Sequence, residues 1–164
     1  MDAIEAIKNR HSSRRFVKKP LAEKDIETLA DCGRLAATAR NAQPWEFVVL
    51  TRAELLEKLS VICPNGPFLK DCGAAFLVLA KSDERYYLED CSAATQNILL
   101  AATALGLGSC WVAGDKKDYA SAVLALAGVP AGYKLVSIVG VGVAEEADRA
   151  PKRPLAEVLH REKF

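Results

Sequence analysis

The chain has 164 residues, 51% of them apolar, and its 22 Lys and Arg stand against 21 Asp and Glu for a formal net charge of +1. That length and apolar content can bury one core without disulfides or metal, and the near-neutral balance gives no whole-protein field to gather nucleic acid or an anionic membrane surface. The sequence has no apolar run of about 18 residues and no apolar segment behind a basic start, so a single cytoplasmic domain over 1–164 is expected, with no nucleic-acid and no membrane partner.

In chain order, Ala3, Ile4 and Ile7 make one apolar face of a short helix that Asp2 can cap. Past Pro20, the acidic start at Glu23 and Asp25, with apolar Ile26, Leu29, Ala30 and Cys32, predicts a second helix running to about Ala37. Pro44 forces an extended approach at Gln43, and Trp45 to Leu50 reads as a buried strand. A short helix is expected from Ala53 to Ile62, a loop at Pro64-Asn65-Gly66-Pro67 and a second buried strand from Ala74 to Ala80. From Asp83 or Glu84 to Leu105 the pattern is one long helix. Ala93, Ala94, Asn97, Leu100, Ala101 and Ala104 give it a small-residue face, and Gly106 ends it. Ser109 to Ala113 is a third strand, Asp118 to Leu126 a helix ended by Gly128 and Pro130, and Leu135 to Val143 a fourth strand.

The five cysteines, Cys32, Cys63, Cys72, Cys91 and Cys110, are odd in number and never form a Cys-x-x-Cys pair. With only His11 and His160 to add, this argues against a metal site and against a secreted disulfide framework. Most are expected to be buried small apolar residues. Gly106-Leu107-Gly108 is no dinucleotide fingerprint, because Trp111 stands where the third glycine should be and the helix precedes the strand.

Arg10-His11-Ser12-Ser13-Arg14-Arg15-Phe16 packs three guanidiniums and two hydroxyls into one short stretch. In an extended chain Arg10, Ser12 and Arg14 point to one side and can converge on an anion, although spacing alone fits a solvated turn equally well. Asn41-Ala42-Gln43-Pro44-Trp45 sets two amides before a proline, a pattern that serves either as a turn or as a matched edge for a ring that both donates and accepts hydrogen bonds. Trp45 reads as core packing.

Together these two segments, with Leu105 to Gly114 and the basic stretch Arg149 to Pro154, resemble the nitroreductase family of FMN-dependent oxidoreductases. The resemblance runs over nearly the whole chain and is weakest from Thr51 to Lys70. It implies an α+β fold, a central, largely antiparallel sheet flanked by helices, in a homodimer with FMN at its interface. It also implies cofactor contacts from Arg10, Ser12 and Arg14, with His11 offering mainly its backbone. Asn41 and Gln43 match a loop that reaches the flavin from the partner subunit, and Ala113 and Gly114 a strand end whose backbone donates to the ring. Lys152 matches a phosphate contact. The next basic position of the family pattern falls on Ala150, which leaves Arg149 or Arg153 to stand in. The implied reaction is ping-pong hydride transfer from NADH or NADPH through FMN to a small electron-poor acceptor such as a nitroaromatic or quinone. No catalytic side chain is implied, because the cofactor itself carries the hydride; for the same reason a non-catalytic flavin carrier or sensor on the same fold is the alternative.

Overall fold

The computed structural model describes residues 1–145 and 150–164. The chain runs α1 (Ala3–Asn9), β1 (Phe16–Val17), α2 (Glu23–Arg34), β2 (Trp45–Leu50), α3 (Ala53–Ile62), β3 (Ala74–Lys81), α4 (Tyr87–Ala104), β4 (Gly108–Ala113), α5 (Ala120–Leu126) and β5 (Tyr133–Ala144). Short 3-10 turns lie at Ala39–Asn41, Pro67–Asp71 and Leu155–Glu157.

All named strand pairs are antiparallel. β3 is central, paired with β2 on one edge and β5 on the other, and β4 and β1 lie along the far edge of β5. Two apolar layers follow from the alternation of side chains along these strands. Phe76, Val78, Val139 and Val141 face α2 and α4, while Leu77, Leu79, Cys110 and Ile138 face α3, α5 and the Pro67–Asp71 turn. This is the α+β architecture expected of the sequence, a sheet covered by helices on both faces.

Local chemistry explains most element ends. The Asp2 carboxylate accepts from the Glu5 N–H at 2.9 Å while the Glu5 carboxylate accepts from the Asp2 N–H at 3.1 Å, a reciprocal cap on α1. Gly106, at φ +74°, closes α4: its N–H reaches the Thr103 carbonyl at 3.0 Å and that of Leu107 reaches Ala102 at 2.8 Å. β5 carries a bulge where Val78 pairs with Ser137 but Leu79 pairs with Leu135, so Val136 is the extra residue.

Several expectations need correction. α1 does not bury Ile4 and Ile7, which are 59% and 54% exposed; it turns Ala6 inward against α4. β2 is an edge strand with only Trp45 and Leu50 buried, because nothing pairs beyond it in the sheet. α2 stops at Arg34, and α4 starts at Tyr87 because Asp83 to Tyr86 are taken up in turns. The small-residue stripe of α4 is its flank: Ala93, Asn97, Leu100 and Ala101 are half-buried and Ala104 is exposed, while Cys91, Ala94, Thr95, Ile98, Leu99 and Ala102 make the buried side. α5 begins at Ala120, two residues later than read.

Gly108 opens β4 beneath Ser13. A Cβ there would collide with that of Ala144 and stand 2.8 Å from Ser13 Oγ. Gly108→Ala is expected to cost about 1–3 kcal/mol by overpacking. It should also push the Ser12–Ser13 segment off β4, which thermal unfolding and amide exchange of residues 10–14 would register.

Candidate functional site

The Arg-Ser segment leaves α1 at Arg10, whose N–H still reaches the Ala6 carbonyl at 2.9 Å, and then runs extended along the outer edge of β4. Ser12 bridges Ser109 in parallel, and the Ser13 N–H donates to the Ser109 carbonyl at 2.9 Å. With Nδ1 protonated, His11 donates to the Asn9 carbonyl at 3.1 Å and accepts the Ser13 hydroxyl at 3.4 Å, which commits its ring within the segment. Ser13 is buried, while Ser12 and Arg14 are exposed and Arg10 is half-buried.

The residues at alternate positions all act on one group, Cys110. Burial pushes the Cys110 thiol up, while the Arg14 guanidinium, a hydrogen bond from Ser12 and the Arg10 guanidinium all pull it the other way. The Arg14 and Arg10 charges and the Ser12 hydroxyl thus all favour negative charge at one sulfur. Next to Cys110, the Ser109 hydroxyl is shielded from solvent and has no hydrogen-bond partner among the described residues.

Parity along the ladder decides what the rest of that edge offers. The Gly114 N–H is bonded inward to the Val136 carbonyl at 3.1 Å, so in an antiparallel pair the neighbouring odd residues of β4 turn their N–H and C=O outward. The Ser109 carbonyl, taken by Ser13, and the Ala113 carbonyl, taken by the Tyr119 hydroxyl, agree with that parity. Ala113 therefore presents its N–H at the outer edge. Gly114 differs from Ala113: its N–H is bonded to the Val136 carbonyl at the bulge, together with that of Asp115 at 3.1 Å.

Asn41 and Gln43 sit apart from this cluster in an exposed turn of unusual backbone. Arg40, Asn41 and Gln43 all have positive φ, at 54°, 57° and 48°, a left-handed conformation that costs a non-glycine residue about 1 kcal/mol or more. What holds it is Asp90 of α4, only 6% exposed. It accepts the Thr38 hydroxyl at 2.6 Å and the Ala39 N–H at 3.1 Å. Thr38 Oγ1 in turn accepts the Gln43 N–H at 3.0 Å.

Lys152 and Arg153 lie on an exposed C-terminal arm, and Arg149 lies outside the described residues. Within one chain the structure thus gathers Arg10, Ser12, Arg14 and the β4 edge, while the Asn41–Gln43 turn and the arm stand elsewhere. A groove of about 560 Å³ opens beside Arg14, with Asn65, Asp71 and the tilted ring pair Phe16 and Phe68, 6.0 Å apart, in its walls.

Sequence reasoning missed Asp90, Thr38 and Tyr119. For Asp90 a signal existed: it shares helical spacing with Ala94 and Ile98 on the buried face of α4, so it is a lone carboxylate on an apolar stripe. Tyr119 and Thr38 carry no such mark. The cysteines behave as apolar filler. Burial pushes the Cys63 thiol up to about 11 and that of Cys91 up to about 12. Cys72 lies on the Cys110 face, its Sγ 2.9 Å from where a Cβ on Gly140 would stand, while Cys91 lies on the opposite face.

The Nitroreductase family profile matches residues 7–66 and 61–143, which takes in the Arg-Ser segment, the strained turn and all of β4. The chain belongs to the nitroreductase family. An Archaeoglobus fulgidus protein, provisionally named an NADH dehydrogenase/NAD(P)H nitroreductase, is 34% identical over 99% of each chain. Among solved structures, an FMN-dependent nitroreductase from Clostridium difficile superposes with a TM-score of 0.91 at 27% identity, over 98% of this chain and 99% of that one. A provisionally named nitroreductase from Desulfovibrio desulfuricans, solved in complex with FMN, superposes with a TM-score of 0.87 at 27% identity over 100% and 98% of the two chains. The nitroreductase-like fold is thereby shown end to end.

Proposed function

We propose that this nitroreductase-family chain is an FMN-dependent oxidoreductase that uses NADH or NADPH to reduce a small electron-poor acceptor, such as a nitroaromatic or quinone, by a ping-pong cycle. The observation that carries this reading is the β4 edge: Arg10, Ser12 and Arg14 all act on Cys110, and the outward N–H of Ala113 lies three residues along the same strand. Three residues of strand span about 10 Å. That suits an elongated ligand with an anionic tail and a ring that gains negative charge. The names of the Archaeoglobus and Clostridium relatives, and the FMN held by the Desulfovibrio protein, support it.

Bound FMN would supply the hydride chemistry, taking a hydride from the nicotinamide and passing it to the acceptor. The chain's own part is binding and electrostatics. Arg10 and Arg14 offset a phosphate of about two negative charges, and Ser12 adds a hydroxyl donor. The Ala113 N–H stabilises charge on the reduced ring, a donor preorganised by the strand that carries it. Gly114, its N–H engaged, adds only the absence of a side chain.

The reading includes a homodimer. Ile4, Ile7 and Leu105 are exposed on one chain, as are Leu155, Val158 and Leu159 of the arm, a set of apolar groups that a second copy would cover. The Asn41–Gln43 turn of one protomer then completes the site of its partner, and Lys152 and Arg153 reach the phosphate by way of the arm.

The visible spectrum of the purified protein, recorded before and after anaerobic addition of NADH and then NADPH, tests the proposal. Flavin bands that bleach with either nucleotide are the expected result. Flavin that stays oxidised with both would favour a carrier or sensor, and a colourless protein that takes up no added FMN would overturn the flavin reading.

A further inference from the structure

We propose that Tyr119 is a positioning residue for the ring-facing end of β4: its hydroxyl holds the Ala113 carbonyl and so aims the N–H of the same residue into the flavin site. The inference rests on the flavin reading above and concerns a residue outside the Arg-Ser and Asn-Gln segments.

Ala113 is the last residue of β4, where a strand end would ordinarily fray. Here the peptide that joins it to Gly114 is held at both ends. Its carbonyl accepts the Tyr119 hydroxyl, and its N–H donates to the Val136 carbonyl at 3.1 Å. The bulge that frees Val136 for this also captures the Asp115 N–H. From there the chain folds back sharply. Lys116 takes a positive φ of 57°, the Lys117 N–H returns to the Gly114 carbonyl at 3.3 Å, and α5 begins at Ala120, so Tyr119 arrives again beside the strand it left.

Ladder parity puts the N–H and the C=O of Ala113 on the same outer edge. The phenol oxygen therefore stands on the edge that offers the N–H, and its bond restricts rotation of the backbone that carries that donor. The ring packs against the layer formed by α3 and α5, and burial pushes the phenol pKa up, which keeps the proton on the oxygen as a donor. A second phenol braces the same junction from the other side, the Tyr87 hydroxyl donating to the Asp115 carboxylate at 2.9 Å.

The test compares Tyr119→Phe with the unsubstituted protein, since the change removes one oxygen and keeps the ring. Loss of one neutral hydrogen bond corresponds to a rise of about 2- to 10-fold in the FMN dissociation constant. The larger effect should fall on the reduced form, so the midpoint potential of the bound flavin, read by reductive titration against a reference dye, should move to a more negative value. Amide exchange across 109–115 should speed up in the flavin-free protein, with the thermal midpoint nearly unchanged. A purely structural tyrosine would leave the potential where it is. Equal potentials and equal exchange would overturn this inference and leave the flavin reading standing. Failure of the unsubstituted protein to take up FMN would overturn the flavin reading, and this inference with it.

Discussion

Arg14→Ala is expected to weaken FMN binding by about 10- to 100-fold, the range for losing a charge-assisted hydrogen bond to an anionic ligand, while leaving the chain folded. Arg14 is exposed and faces the Cys110 cluster and the adjoining groove, so its removal opens no core cavity. Two features make the effect large. Arg10 and Arg14 both act on Cys110, so an anion bound beside it would feel both guanidinium charges, and taking Arg14 away leaves Arg10 alone to compete with water. The charge also matters to Cys110: with Arg14 gone, one of the groups that favour the thiolate disappears and burial dominates still more. Fluorescence titration of FMN into the flavin-free variant measures the first effect. A flavin content equal to that of the unsubstituted protein would count against Arg14 as a cofactor contact. Arg14→Lys should recover only part of the affinity, because an ammonium restores the charge without the planar fork.

Much of this arrangement was legible from residue order, and the reasons are local. β2 and α3 fall at Trp45–Leu50 and Ala53–Ile62 as read, because Pro44 dictates where the extended chain begins and the apolar spacing of Leu55, Leu56 and Leu59 leaves little choice of helix face. That Arg10, Ser12 and Arg14 share one side, where all three act on Cys110, follows from the period of two in an extended segment lying along a strand edge. What could not be read is what depends on contacts distant in sequence. Ile4 and Ile7 have helical spacing, yet spacing does not say which side of a seven-residue helix meets α4, and the smaller Ala6 is the one that fits. The spending of Gly114's N–H hinges on a bulge in β5, a one-residue register event with no signature in composition. Tyr119 reaches Ala113 through a tight reversal at Lys116, a residue that carries none of the usual marks of a left-handed backbone.

Asp90→Ala is the other substitution with a large expected effect, and it separates positioning from contact. The hydrogen bonds of Asp90 go not to the Arg-Ser segment or β4 but to Thr38 and Ala39, 52 and 51 residues away in sequence. Deleting its carboxylate removes two hydrogen bonds to a charged group and leaves the strain at Arg40, Asn41 and Gln43 unopposed. The expected cost is about 2–4 kcal/mol, or roughly 5–15 °C in the thermal midpoint of a chain this size. The turn should then relax toward ordinary backbone, drawing Asn41 and Gln43 out of register, so FMN affinity should fall even though Arg10, Ser12 and Arg14 are intact. Thr38→Val sharpens the test, because it takes away the hydroxyl that links Asp90 to the Gln43 N–H and leaves the buried carboxylate its bond from Ala39. If Thr38→Val lowers FMN affinity with only a small change in thermal midpoint, the turn is held for the ligand. If affinity tracks the midpoint alone across both variants, Asp90 is a structural anchor and the Asn41–Gln43 turn plays no part in binding.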